Sequence, residues 1–213
     1  MSRHTDAFAR NWGAPLTSRE VPENYYTDFA GRVPESLFEF WRTFGFAGFG
    51  QGRFWICDPV RWQPAVDRWM NKVSLPIGDD SWLAITRSAF GEVRLWGQRT
   101  GMSAVILPWR GVIVVNDRTA QMAEEKDRNN QINAEFRGTR PGDVEPNGDD
   151  GEPLFELALE RLGPVTEDTV YGFEPALTLG GPAVVDNLAL LEAVTHVTLL
   201  ADLSDPQVGA ASS

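Results

Sequence analysis

The sequence predicts an α+β fold: an antiparallel sheet meander packed with helices, in two subdomains. Three observations carry this. Residues Ser81–Ala89, Glu92–Gln98, Met102–Leu107 and Gly111–Val115 read as four successive strands, with turns at Gly91, Gly101 and Pro108–Gly111. The links between them are too short for parallel crossovers, so the strands run antiparallel. Apolar residues at helical spacing lie on both sides of this run. A polar stretch near residues 116–150 marks the division. It gives a first subdomain over 1–117, a second over 118–204, and a small, polar tail over 205–213 that is expected to fray.

The densest aromatic stretch, Val33 to Pro59, organises the first part. Pro34 suits a first helical position, since its missing N–H costs nothing there. Leu37, Phe38, Phe40, Trp41 and Phe44 then form one wide apolar face. Gly45 stops this helix. Gly48, Gly50 and Gly52 read as a turn, and Phe54–Cys57 as a short buried strand. Asp58 and Pro59 fit the N-cap and first position of the next helix, which buries Trp62, Val66, Trp69 and Met70. Ahead of this unit, residues 3–12 form a helix with Phe8 and Trp12 on one side, and 22–29 a helical turn.

After the meander, residues 118–136 are polar and helical, anchored by Met122, Ile132 and Phe136. Residues 140–151 are a loop by composition. Asp149 or Asp150 is expected to cap a helix starting near Pro153, with Leu154, Phe155, Leu157, Ala158 and Leu162 facing inward. Thr169–Phe173 reads as a strand. Val184–Leu191 and Val194–Leu203 read as a final pair of helices.

With 213 residues and 42% hydrophobic content the chain can bury an ordinary core. A net charge of −11 opposes binding nucleic acid through its phosphates. It suits a basic protein partner, which opposite charge would steer toward it. Cys57, the single cysteine, can form no intrachain disulfide, in keeping with a reducing compartment. No apolar run is long enough to span a membrane, and the first residues lack a signal-peptide core. A soluble, cytoplasmic protein is expected.

No catalytic set emerges. His4 sits near the start and His196 in an apolar helix, and no paired-histidine metal motif occurs. Cys57 follows three apolar residues and reads as a buried, inert thiol. The glycines at 45, 48, 50 and 52 precede a strand, so they are no dinucleotide fingerprint. No cofactor or metal is expected. The carboxylates Asp79, Asp80, Glu124 and Glu125 are open to two readings, solvated turns and faces or a hydrolytic cluster. Between Gly142 and Asp168 nine acidic residues accompany a single positive charge, Arg161. Within that run Asp143, Glu145, Asp149, Asp150 and Glu152 join Asp79, Asp80, Glu124 and Glu125 as candidate partner-binding residues.

Two segments resemble known bacterial modules. VPENYYTDFAGRVPESLFEFWRTFGFAGFGQGRFWICDP, from Val21, is similar to the GAD-like domain, which covers the 1–117 part. Val170–Leu177, Leu179-Gly180-Gly181 and Asn187-Leu188 resemble the DUF1851 domain of type VI secretion immunity proteins, over the 118–204 part. The resemblance implies a cytoplasmic immunity protein that binds a cognate effector toxin, in such relatives a DNase, one-to-one and without catalysis. The matched residues are apolar, glycine or proline, so they carry over the fold and the role but no inhibitory site. The competing expectation is an enzyme, either a carboxylate-dependent hydrolase or one that reverses a toxin's modification. It requires carboxylates of raised pKa meeting in a pocket.

Overall fold

The structure, a computed structural model, describes residues 2–210. In chain order the elements are α1 (Arg3–Trp12), β1 (Thr17–Arg19), α2 (Tyr25–Asp28), α3 (Glu35–Phe44), β2 (Phe46–Phe49), β3 (Phe54–Ile56) and α4 (Pro59–Met70). The meander follows as β4 (Trp82–Ser88), β5 (Val93–Gly97), β6 (Gly101–Leu107) and β7 (Val112–Val115). Then come α5 (Glu125–Gly138), α6 (Phe155–Leu162), β8 (Thr169–Phe173), β9 (Leu188–Glu192), α7 (Ala193–Leu203) and β10 (Gln207–Ala210). The class is α+β, as the sequence predicts. An eight-stranded sheet runs β1-β2-β3-β4-β5-β6-β7-β10, antiparallel except for the β7–β10 pair. A separate two-stranded sheet pairs β8 with β9.

Local chemistry sets the helix ends. The Ser2 hydroxyl accepts the N–H groups of His4 and Thr5 at the start of α1. Asp58 accepts those of Val60 and Arg61 ahead of α4. Pro34 is the N-cap of α3, one place earlier than its missing donor suggests. Gly45 ends α3 with φ of 68°, a conformation that favours glycine. The chain then enters β2 instead of turning. Gly48 lies within that strand under the Trp55 indole, where an added Cβ would meet the ring at 2.5 Å. Closeness of two chains, and not a bend, accounts for that glycine.

Three packed clusters hold the molecule. On one sheet face α1, α3 and α5 bury Phe8, Phe40, Phe44, Phe49, Phe54 and Phe136, with Phe40 stacked on Phe136 at 3.9 Å between centroids. On the other face α4 and α7 bury Trp62, Trp69, Leu95, Ile106, Ile113 and Val197. The Trp69 indole donates to the Val197 carbonyl at 2.8 Å. The third cluster joins α6, β8 and β9 to Trp55, Ala89 and Phe90 of the main sheet region.

The structure corrects four expectations. Val184–Leu191 is no helix: a short 3-10 turn at Val185–Asn187 leads into β9, which pairs Leu188 with Phe173 and Leu190 with Tyr171. A four-residue apolar run, Leu188–Leu191, fits either period, and the open side of β8 decided it. The cap of α6 is not Asp149 or Asp150, since the Phe155 N–H donates to Glu145 at 2.9 Å. Leu157 faces outward from that helix. Residues 207–210 are not frayed: they form β10, adding a parallel edge to β7, while 211–213 lie outside the described residues. The sequence leaves open whether 118–204 shares a core with the first part, and parts of it do pack there. Ile132 and Phe136 join the aromatic cluster of α1 and α3, and Val197 and Leu200 join that of α4.

Candidate functional site

The nine acidic candidates do not converge. Asp79 is exposed, whereas Asp80 accepts from the backbone N–H groups of Ser81, Arg99 and Thr100 and from the Thr100 hydroxyl at 2.6 Å. Asp80 therefore pins the β5–β6 hairpin. Glu124 and Glu125 are exposed at the start of α5. Asp143 accepts the Arg140 N–H at 2.8 Å, Asp149 that of Ala183 at 3.1 Å, and Asp150 that of Glu152 at 3.0 Å. With Glu145 capping α6, most of the acidic loop is engaged in shaping itself. Glu152 is exposed, and its carboxylate has no hydrogen-bond or ion-pair partner among the described residues. Among those residues no three His, Cys, Asp or Glu side chains group as metal ligands.

Chemistry gathers instead where α5 crosses the sheet. Here a cleft of about 730 Å³ opens between α5 and the strands β6 and β7. Met102, Ala104, Val105 and Val114 supply apolar lining, and Asn116, Arg118, Gln121, Asp127, Glu135 and Asp143 supply polar groups. Arg94 lies at its base. It pairs with Glu92 at 2.9 Å and with Glu135 at 3.4 Å. Both carboxylates are over nine-tenths buried. Thr86 also donates to Glu135, at 3.2 Å. Burial pushes Glu92 up to about 7, and Arg94 pulls against that shift. Burial likewise opposes the charge on Arg94, but Glu135 and Glu92 outweigh it and its pKa is raised.

A second charged cluster joins the C-terminal unit to the main sheet. Arg19 bridges Asp58 at 2.9 Å and Glu167 at 2.6 Å. Arg61 pairs with Asp168 and reaches Glu167 at 3.6 Å. Beneath them Arg87 is fully buried, with its guanidinium over Trp55 and Trp62. It donates to the carbonyls of Thr166 at 2.7 Å and Glu167 at 3.2 Å. Loss of solvent lowers its pKa to about 10, so it stays charged at neutral pH. Among the described residues, seven of the nine exposed large hydrophobic residues fall beyond residue 150: Leu157, Leu179, Val184, Leu190, Leu199, Leu203 and Val208. They are spread over α6, the link between β8 and β9, β9, α7 and β10.

Neither histidine nor thiol is placed for chemistry. His196 packs where any side chain at Gly172 would meet its ring, and burial lowers its pKa to about 4. Cys57 is buried, and desolvation pushes its thiol up to about 12. The sequence did not single out Glu92, Arg94, Glu135, Arg19 or Arg87. Arg94 carried a signal, because a charged residue alternating with the buried Val93 and Leu95 must meet something on the other face. The others depend on contacts between distant segments.

Residues 3–108 match the family model of the GAD-like domain. Residues 143–204 match that of the C-terminal region of the type VI secretion immunity protein Tdi1. The crystal structure of Atu4351 from Agrobacterium tumefaciens is similar in fold, with a TM-score of 0.80 over 94% of this chain and 88% of that one, at 19% identity. No curated protein sequence matches the chain. The two family matches, in this order along the chain, support a type VI secretion immunity protein, one directed against a secreted effector.

Proposed function

We propose that this chain protects the cell that makes it by binding the toxic domain of a cognate type VI effector, a DNase, and covering or distorting its nuclease site. The observation that carries this is the match of residues 143–204 to the Tdi1 immunity region. That region coincides with the unit that exposes leucines, and it lies in an acidic chain of net charge −11. A nuclease must present a basic groove to hold phosphates, and an acidic surface complements one. On this reading the chain acts in the cytoplasm, one copy per toxin, without cofactor and without touching nucleic acid itself. Its C-terminal unit is of the DUF1851 kind. No described helix is long and apolar enough to cross a membrane.

Co-expression with the toxic domain of the effector encoded beside it tests the proposal. Cells should survive, and a purified 1:1 complex burying about 1,200–2,000 Å² should lack nuclease activity. Continued killing at equal expression refutes it. One observation favours the enzyme reading: the pKa of buried Glu92 lies near neutrality behind the base of a cleft. The two readings part on stoichiometry. An inhibitor protects only when present at least one-for-one, whereas an enzyme protects at far lower ratios.

A further inference from the structure

The α5 side of the main sheet is covered unevenly. Helices α1, α3 and α5 bury the part formed by β2 to β5. Past α5, Val105 and Val114 remain only partly buried, although they sit opposite each other in the β6–β7 register. Such a pair in mid-sheet ordinarily packs beneath a helix. Here it forms the floor of the open cleft. The lining of that cleft is acidic by one charge: Asp127, Glu135 and Asp143 stand against Arg94 and Arg118.

The charges are also unevenly satisfied. Arg94 is shared between Glu92 and Glu135, so two buried carboxylates divide one guanidinium. Asp127 has no side-chain partner among the described residues and faces the same space. An entering cation would complete this set, and an entering anion would meet a surplus of carboxylate. The volume of about 730 Å³ exceeds one side chain and suits several residues of another chain.

We propose that this cleft receives a basic segment of the effector's toxic domain. Its aliphatic groups would lie on Val105 and Val114, and an arginine or lysine would reach Asp127 and Glu135. This rests on the immunity reading above and assigns to it a contact surface on α5, β6 and β7 that takes in only Asp143 of the acidic loop 143–152. Shape and charge act together there. The apolar floor supplies affinity through burial, and the carboxylates select the sign of what enters.

The test uses the full chain and the toxic domain of the neighbouring effector, with affinity measured by calorimetry. The variants are D127R and V114K, with E20R, beside β1 at the far end of the sheet order, as the control. D127R and V114K should each weaken binding by 30-fold or more, while E20R stays within threefold and all three keep the wild-type melting curve. A wild-type chain that does not bind the toxic domain overturns the function itself. Tight wild-type binding left unchanged by D127R and V114K overturns only this inference. Equal losses in all three variants also overturn it, since the effect is then overall charge. A cleft-dependent dimer of this chain, seen by light scattering without the effector, overturns it in favour of a second copy.

A cross-link covers the case of a variant that misfolds. Q121C labelled with a photoreactive maleimide places the probe on the cleft wall, and the buried Cys57 thiol stays unlabelled. Mass spectrometry should find the adduct on an Arg- or Lys-containing peptide of the toxic domain. An adduct confined to an acidic or wholly apolar peptide overturns the proposal.

Discussion

The aromatic body around α1, α3 and α5 and the C-terminal unit around α6, β8 and β9 are held by different forces. The body is a continuous interior of rings: Phe8 alone lies within 6.4 Å, centroid to centroid, of Trp12, Phe40, Phe44, Phe49, Phe54 and Phe136. The C-terminal unit has a two-stranded sheet too small to stand alone. It leans on Trp55, Ala89 and Phe90, and its approach is fixed by Arg19, Arg61 and Arg87. The body supplies rigidity. The unit tied on by directional bonds keeps leucines at its surface, and that division of labour suits a protein that must offer a partner a varied surface from a constant frame.

The comparison can be broken most severely at Phe136. F136A should cost about 3–5 kcal/mol, because it removes the ring stacked on Phe40 and leaves a cavity. Urea denaturation should show the whole molecule weakened. R87A should cost about 2–4 kcal/mol, since it strands the Thr166 and Glu167 carbonyls and opens a gap beside Trp55 and Trp62. Hydrogen exchange should then rise first within residues 154–203. Equal loss of protection in α3 would deny that the two regions are separately held.

Acid and base sharpen the contrast. Glu92 holds its proton to about pH 7 when folded, against 4.5 as its ordinary value. The folded state therefore binds more protons between these values, and stability falls as pH rises through that window. His196 acts oppositely. Its folded value of about 4 lies below the ordinary 6.5, so stability falls as pH drops from 6.5 toward 4. Each slope is at most about 1.4 kcal/mol per pH unit. E92Q should remove the decline toward pH 7, and H196Q the decline toward pH 4, in urea midpoints followed across pH. Smaller effects belong to the surface. E167Q should cost about 1 kcal/mol or less, because Arg19 is partly exposed. L157S, on an outward face, should stay within about 0.5 kcal/mol.

Much of this was legible from residue order, and the gaps have causes. Leu37 to Phe44 and Trp62 to Trp69 show their helices because their apolar spacing matches the helical period. The meander shows because glycines punctuate apolar runs. The acidic loop was visible as composition, but the backbone bonds of Asp143, Glu145, Asp149 and Asp150 were not, since each depends on where a neighbouring N–H falls. The cleft was least visible. Glu92 and Arg94 are two residues apart, but Glu135 lies on another element and reaches them only once α5 has crossed the sheet.

Sequence by itself determined the α+β class, the antiparallel order of β4 to β7, the cap at Asp58 and the helices that carry the aromatic core. Each follows from spacing within a few residues, where side-chain geometry and the backbone's own preferences decide. Tertiary structure alone decided that Gly48 lies in a strand, that Leu188–Glu192 extends instead of coiling, and that Gln207–Ala210 closes the sheet edge. These segments are short and carry weak preferences of their own. Their conformation was set by the unpaired backbone of the strand each one met, β3 for the first, β8 for the second and β7 for the third.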